Sequence, residues 1–243
     1  MLSEKKITRP GERKLSLPPL EAPITVRIKF CKTGNLQFIS HLDLQRTFHR
    51  VLVRADIPMW YTKGFNPHAK LVFGMPLSVG TESVCEMADL KIDRKISLEE
   101  IKDQLNEQLT SEMYILDAYY PTTKFADIAY ADYTIKLNHP KIDESVAVKA
   151  TNLFMFPVTM TKRSKSGEKE VDITSFIKKI QFDIVDGDLI ADAVLSAGST
   201  ENLNPEYIVS ALKTLDVFAS EPQALTYSIM RNKVYDKYLI EFK

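Results

Sequence analysis

Apolar residues between positions 41 and 55 recur at the three- and four-residue spacing of a buried helical stripe. The stripe consists of Leu44, Phe48, Val51, Leu52 and Ala55. Ser40 is a suitable N-cap, and Asp43 stands three residues later in the place of the Glu of a capping box. Pro58 follows shortly after the last apolar residue of the stripe. The pattern therefore predicts an amphipathic helix over 41–55.

Alternating apolar and polar positions around this helix predict a set of strands. These strands are expected near 24–31, 71–77, 83–92 and 113–120. Ser97 precedes a second helical stripe over 97–109, and we expect both helices on one face of the sheet. The order βαββαβ is that of a split βαβ, or ferredoxin-like, unit.

The second half of the chain repeats this order loosely, although no sequence repeat is visible. Its predicted elements are a strand at 133–137, a helix or helix–strand mixture at 143–155, a hairpin with a basic tip around Ser166-Gly167, a short helix at 175–180, two strands turning at Asp186-Gly187, a helix from Pro205, and a strand through Arg231. The chain is thus predicted to be an α+β protein with two tandem ferredoxin-like modules, 23–122 and 123–243, after a flexible basic tail at 1–22.

The net charge of zero conceals an uneven distribution of charges. Residues 24–72 contain eight Lys and Arg but only two Asp, whereas residues 73–120 contain four basic and ten acidic residues. Arg46, Arg50 and Arg54 lie one helical turn apart and form a single cationic row. This concentration of positive charge favours an anionic ligand, and the alternative is an ordinary solvated helix face.

Several classes of protein are disfavoured by what the sequence lacks. It has no run of 18 or more apolar residues and no signal-peptide pattern, so we expect a cytoplasmic protein with no membrane segment. Its two cysteines, Cys31 and Cys85, are far apart and suggest neither a zinc nor an iron–sulfur site. Both are expected to be reduced residues of the core. We expect no metal and no cofactor.

Two segments of the chain closely resemble the radical SAM-linked protein family of bacteria. They are KTGNLQFISHLDLQRTFHR and IPMWYTKGFNPHAKLVFGMPLSVGTES. The segments TKRSKSGEKEVDI and NLNPE resemble its second half. This chain departs from the family pattern at Val53, where an arginine is usual, at Thr62 for a serine and at Ala69 for a proline. Members of the family sit beside, or are fused to, a radical SAM protein, so the resemblance implies such a partner.

An enzymatic function would use the histidines of the same region. His41, His49 and His68 could act as general acid and base, and Tyr61 or Lys63 could stabilise an anionic transition state. The chain would then be a ribonuclease or an RNA-modifying enzyme, with His41 and His68 as the catalytic candidates. It is not itself a radical SAM enzyme, because that chemistry needs three clustered cysteines.

A binding function suits the same residues better. Arginine rows hold phosphates, and Trp60, Tyr61 and Phe65 could stack on bases. The expected ligand-binding residues are His41, Arg46, Arg50, Arg54, Tyr61, Lys63, Asn66, His68, Lys70, Lys162, Arg163 and Lys165. We therefore expect a non-catalytic partner of a radical SAM enzyme that binds tRNA, rRNA or another anionic substrate. A protein–protein adaptor is a further alternative, and DNA is not expected because no groove-reading helix motif is present.

Overall fold

The computed structural model describes residues 17–164 and 167–243, and for 162–164 it describes the backbone alone. The chain divides into two compact units. Of the described residues, the first unit comprises 17–79 together with Cys85–Thr122, and the second comprises Gly80–Val84 together with Thr123–Lys243. Helices and mostly antiparallel strands occur in both, so the protein is a mixed α+β chain, as the sequence predicts.

The first unit follows the predicted alternation of strands and helices. Its elements are β1 (Pro19–Lys32), α1 (His41–Arg54), β2 (Leu71–Phe73), β3 (Thr81–Arg94, in this unit from Cys85 onward), α2 (Leu98–Asn106) and β4 (Ile115–Tyr119). The strands lie in the order β4-β1-β3-β2. β1 is antiparallel to β4, and β2 is antiparallel to β3.

Both helices of the first unit begin at the serines that the sequence indicates. The Oγ of Ser40 accepts a hydrogen bond from the N–H of Asp43 at 3.1 Å. The Oγ of Ser97 accepts one from the N–H of Glu100, also at 3.1 Å. Each serine satisfies a backbone donor that the first helical turn would otherwise leave unpaired.

One apolar cluster joins the two helices of the first unit to its sheet. Val26, Ile28 and Phe30 alternate along β1 and are buried on one face. They share this cluster with Phe48 of α1 and Ile101 of α2. Both helices therefore pack on the same face of the sheet, as the periodicity predicts.

A buried ion pair lies on the other face of the same strands. Arg27 is 1% exposed, and its Nε and Nη2 donate to the two carboxylate oxygens of Asp89 at 2.7 and 3.0 Å. Cys31 lies four residues after Arg27 on β1, and Cys85 lies on β3. Both cysteines are buried and free, as expected.

The second unit has a longer list of elements. They are β5 (Ile128–Asn138), α3 (Glu144–Phe154), β6 (Thr159–Ser164), β7 (Gly167–Asp172), β8 (Ile177–Val185), β9 (Asp188–Ser196), α4 (Glu206–Leu212), α5 (Asp216–Ala219) and β10 (Thr226–Asp236). Strands β10-β5-β9-β8 are neighbours in that order, and each pair is antiparallel. Residues 81–83, the start of β3, pair in parallel with β10. β6 and β7 form a separate hairpin.

Several predicted boundaries differ from the observed ones. β1 begins at Pro19 rather than at 24, so the last residues of the predicted tail belong to a strand; residues 1–16 lie outside the described part of the chain. β2 ends at Phe73 rather than at 77, because a glycine and then Pro76 follow, and proline cannot donate to a ladder. α2 ends at 106 rather than at 109.

The short helix predicted at 175–180 is wrong. The structure has a 3-10 helix at Ile173–Phe176, followed directly by the strand β8. A six-residue helix gains few hydrogen bonds for the cost of its nucleation. From Ile177 onward the backbone pairs with β9, so the sheet determines its conformation.

Replacing Asp188 by asparagine is expected to destabilise the fold at neutral pH and to have less effect in acid. The buried carboxylate lies 2.6 Å from the Nζ of Lys136 and accepts a hydrogen bond from the Nδ2 of Asn138 at 2.6 Å. Lys136 first, and then Asn138, lower the pKa of Asp188. A lowered pKa in the folded state stabilises the fold above the unfolded value of about 3.9, and this contribution is lost as the pH falls through the folded value.

Urea denaturation at neutral pH and below about pH 3 checks this expectation. Asp183→Asn, at an exposed position of β8, is the matched control and should change stability little at either pH. The same loss for Asp188→Asn at both pH values would contradict the assignment.

Candidate functional site

The 60–70 loop, which joins α1 to β2, is a short two-stranded excursion. Tyr61 and Ala69 pair in an antiparallel bridge. The N–H of Lys70 donates to the carbonyl of Trp60 at 2.9 Å, and the N–H of Thr62 donates to the carbonyl of His68 at the same distance. These bonds fix the base of the loop, and residues 63–67 form its tip.

The tip of this loop presents an unshielded aromatic ring. Phe65 is 112% exposed, more than a phenylalanine in an extended reference peptide. Lys63 and Asn66 beside it are also exposed. Gly64 precedes the ring with a φ of +143°, a conformation that side chains rarely adopt. An apolar ring that finds no place in its own core is available to stack on a partner.

His68 braces the loop from the side opposite Thr62. Its Nδ1 lies 3.2 Å from the Oγ1 of Thr62 and 3.3 Å from the carbonyl oxygen of Asn66. The backbone N–H of His68 donates to the same Oγ1 at 3.1 Å. Thr62 replaces the serine usual in the resembling family, and its hydroxyl makes these contacts. His68 is exposed, so its ring is also open to a ligand.

His41 is the first residue of α1 and lies against Phe73, the last residue of β2. Its ring meets that of Phe73 edge to face, with centroids 5.4 Å apart. Its Nε2 lies 3.0 Å from the Nε2 of Gln45, one turn along the helix. Phe73 belongs to β2, which follows the loop directly. His41 is thus half-buried and packed against the core.

The arginine row is exposed but partly engaged by the protein itself. The Nη1 of Arg46 lies 3.3 Å from a carboxylate oxygen of Asp43, and the Nη2 of Arg54 donates to the carbonyl of Gln108 at 3.3 Å. The pKa of Asp43 is lowered mainly by its hydrogen bond with Ser40 and, to a smaller extent, by Arg46. Arg50 is exposed between them. Two of the three guanidinium groups therefore have partners within the protein.

The structure separates the predicted residues into groups around the helix. Arg46 is five residues after His41, which places it about 140° around the helix axis. His41 therefore faces Phe73 of β2, while the arginine row faces solvent. His49, half-buried, lies between these directions. His41 contacts Gln45 and Phe73, whereas His68 contacts Thr62 and Asn66, and no contact joins the two histidines among the described residues.

The predicted basic hairpin is present in the second unit. Lys162 pairs with Lys169, and Arg163 pairs with Glu168, between β6 and β7. The side chains of Lys162 and Arg163 and the whole of Lys165 lie outside the described part of the structure.

A protein-family model matches the part of the chain that contains these features. The model of an uncharacterized protein conserved in bacteria, DUF2344, matches residues 25–205, which include the loop, α1 and the hairpin. The chain belongs to the DUF2344 family. No curated protein matches it.

Two solved structures are similar to this DUF2344 protein at low identity. A chain of a Cbf5-Nop10-Gar1 complex is 10% identical, with a TM-score of 0.45 over 86% of this chain and 48% of that one. An unknown protein from Galdieria sulphuraria is 7% identical, with a TM-score of 0.25 over 86% of this chain and 98% of that one. This chain thus spans about half the length of the first.

Two further observations concern the described residues of the DUF2344 protein. Within 17–164 and 167–243, no three His, Cys, Asp or Glu side chains are grouped so that they could hold a metal ion. In the same ranges, no helix is both long and apolar enough to cross a membrane.

The sequence patterns missed a cavity in the second unit of the DUF2344 protein. Its lining comprises Asp132, Lys179, Asp192, Val194, Tyr235 and Leu239. The available signal was an aspartate at a polar position of each predicted strand, in ADYTIKL and in ADAVLSA. That signal is weak, because polar residues are usual on the solvated face of a strand.

Proposed function

We propose that this DUF2344 protein is a cytoplasmic, non-catalytic partner of a radical SAM enzyme, and that it binds tRNA, rRNA or another anionic substrate through the 60–70 loop and α1. The observation that carries the binding part is Phe65, fully exposed between Lys63 and Asn66 at the tip of a braced loop. The partnership rests on the sequence resemblance described above.

The loop combines the two contacts that single-stranded RNA needs. A base stacked on an aromatic ring contributes about 1–3 kcal/mol, and every base has a face that can stack. Lys63 and Lys70 are exposed on the same loop and can contact the flanking phosphates. Tyr61, 42% exposed, offers a second ring near the loop base. This favours unpaired nucleotides over a regular duplex.

The arginine row can add phosphate contacts on α1. The pair between Arg46 and Asp43 is exposed on both sides, at 62% and 57%. Such exposed surface pairs contribute little to stability, so a phosphate can displace the carboxylate easily. Arg50, exposed beside it, completes a two-arginine site one helical turn long.

The histidines fit positioning better than catalysis. His68 is bonded to Thr62 and Asn66, so it shapes the loop that presents Phe65. His41 packs on Phe73 of β2, which is part of the first unit's apolar packing. A ribonuclease would instead need both rings at one phosphate, and a protein adaptor would need no RNA at all. Both alternatives are outcomes of the experiments below.

We also propose that the two units are tandem ferredoxin-like modules. In the first, the strands lie in the order fourth, first, third, second, as β4-β1-β3-β2. In the second, β10-β5-β9-β8 have the same order once the β6–β7 hairpin is counted as an insertion after α3. Both therefore support the βαββαβ pattern inferred from the sequence.

RNA binding should depend on Phe65 and on the arginines in different ways. We expect Phe65→Ala to weaken binding about 10-fold or more with an unchanged salt dependence, because it removes stacking and no charge. The double variant Arg46→Gln with Arg50→Gln should also reduce the salt slope, by about 0.7 per lost phosphate contact on a single strand. Fluorescence anisotropy with labelled tRNA and rRNA fragments, at several salt concentrations, measures both effects.

The controls are matched substitutions in the second unit. Phe156→Ala removes another exposed ring, 71% exposed, and Lys149→Gln removes an exposed positive charge from α3. Neither should change affinity by more than about twofold, or about 0.4 kcal/mol. Unchanged affinity in the Phe65 variant and the double arginine variant would overturn the binding proposal. Cleavage of the RNA by the wild type, lost in His41→Ala or His68→Ala, would favour the ribonuclease.

Affinity purification from the native bacterium tests the partnership separately. The tagged protein is expected to recover a protein with the clustered cysteines of a radical SAM enzyme, and to recover RNA. Recovery of that enzyme unaffected by ribonuclease, with no RNA bound, would favour the adaptor. Recovery of RNA without the enzyme would remove the partnership and leave the binding proposal in place.

A further inference from the structure

The second unit contains a cavity of about 300 Å³ that the RNA-binding proposal does not use. Neighbouring strands contribute to it: Asp132 from β5, Asp192 and Val194 from β9, Lys179 from β8 and Tyr235 from β10, with Leu239 after β10. Its volume is at the lower end of the range for small-molecule sites, about 300–1,000 Å³. The cavity therefore suits a small ligand.

A cross-strand row of residues sets the charges of the cavity. Lys233 pairs with Asp132, Asp132 with Val194, and Val194 with Lys179, across β10, β5, β9 and β8. Cross-strand partners project from the same face of a sheet. The backbones of Asp132 and Lys179 are two strand spacings apart, about 9–10 Å. A carboxylate and an ammonium group thus line one cavity with the apolar Val194 between them.

These two charges do not neutralise each other directly. Among the described residues, no hydrogen bond or ion pair joins Asp132 or Lys179 to another side chain. Burial first, and the neighbouring Asp192 second, raise the pKa of Asp132, while Lys233 and Lys179 act in the opposite direction. Asp192 accepts a hydrogen bond from the Oγ1 of Thr134 at 2.7 Å. Partial burial of the Asp132 carboxylate is therefore unfavourable and is not offset by a hydrogen bond or ion pair among the described residues.

The backbone departs from regular geometry at both ends of the row. The pairing register shifts between Arg231 and Lys233 in β10, and between Ile177 and Lys179 in β8. Such irregularities redirect side chains and are frequent beside functional sites. Both shifts occur where a lysine of the row projects.

The apolar wall of the cavity is held in an unusual backbone conformation. Leu239 has a φ of +62°, which is costly for a residue with a side chain. The Oδ1 of Asp236 accepts hydrogen bonds from the N–H groups of Tyr238 at 2.8 Å and Ile240 at 2.9 Å. These bonds hold the turn that contains Leu239, one of the residues that line the cavity.

We propose that this cavity binds a small zwitterion of the amino-acid class, with its ammonium group between Asp132 and Asp192 and its carboxylate at Lys179. An ammonium group has three donors and can bond both carboxylates. Charge-assisted hydrogen bonds at both ends would then hold the two charged groups of the ligand. Tyr235 and Leu239 contact a short apolar side chain. This site is independent of the proposed RNA surface.

Isothermal titration calorimetry of the full chain tests the proposal with defined probes. L-alanine, L-valine and L-leucine supply both charges, n-butylamine supplies the ammonium alone, and butyrate supplies the carboxylate alone. At least one amino acid should bind saturably, and about 10-fold or more tighter than either single-charge probe. Asp132→Asn and Lys179→Gln should each weaken that binding about 10- to 100-fold.

Two variants outside the cavity are the controls. Asp183→Asn lies on β8, as Lys179 does, and Lys149→Gln lies on α3; neither residue lines the cavity. Both should bind the amino acid as the wild type does, and circular dichroism should show all four variants folded. The proposal is overturned if no amino acid binds at millimolar concentration, if n-butylamine binds as tightly, or if Asp132→Asn and Lys179→Gln bind unchanged.

Discussion

Replacing Phe48 by alanine should lower the free energy of unfolding by about 3–5 kcal/mol. Phe48 is 0% exposed and lies at the centre of the first unit's apolar cluster. Its ring centroid is 4.9 Å from that of Phe30 and 5.5 Å from that of Phe73. Truncation would leave a cavity between α1 and the sheet and remove two aromatic contacts. The loss is therefore expected at the upper end of core substitutions.

Phe65→Ala provides a control with the same chemical change in the same unit. Its ring is fully exposed, so denaturation should show a change of less than about 0.5 kcal/mol. Chemical denaturation followed by tryptophan fluorescence can report on both variants, because Trp60, the single Trp, lies in this unit. If the two variants lost similar stability, the assignment of Phe48 to the core would be wrong.

The second large effect is expected from Asp89→Ala, which should cost about 3 kcal/mol of stability. Arg27 is almost fully buried, and both of its bonds to Asp89 are short. Removing the carboxylate leaves the buried guanidinium group without the two bonds that Asp89 accepts. Asp89 itself is 20% exposed, so solvent screens part of the effect.

Two comparisons separate the ion pair from a general loss of packing. Asp43→Ala breaks the exposed pair with Arg46 and the contact with Ser40, and it should cost much less stability than Asp89→Ala. The double variant Arg27→Met with Asp89→Leu should recover part of the loss, because it removes the buried charge as well. No recovery in the double variant would indicate that packing, rather than charge, determines the cost.

The sequence predicted best what depends on a few adjacent residues. The starts of α1 and α2 follow from Ser40 and Ser97, each of which caps a backbone donor three residues away. The turn at Asp186-Gly187 is likewise local, and both residues have a positive φ, as a tight hairpin requires. The helix prediction for 175–180 was wrong because the conformation of most of this segment is determined by a partner strand and not by its own residues.

The candidate site follows the same rule. The exposure of the 60–70 loop could be inferred from its Gly, Asn and Pro content. The partner of Arg54 could not, because the carbonyl of Gln108 is far away in the sequence. The cavity around Asp132 could not be inferred from the sequence either, because its lining residues come from separate strands whose order no local pattern specifies.

The start of β3 has a consequence for how the protein can be made and divided. Residues 81–83 pair with β10, although they leave the ribosome roughly 140 residues earlier, so at about 5–20 residues per second they wait on the order of ten seconds for their partner. During that time the second unit cannot be completed, whatever the state of the first. For the same reason, no single cut in the chain yields both units intact: a fragment beginning at Thr123 lacks a strand that its own sheet contains. Gene fusions and split versions of this protein must therefore keep residues 80–84 with the C-terminal half.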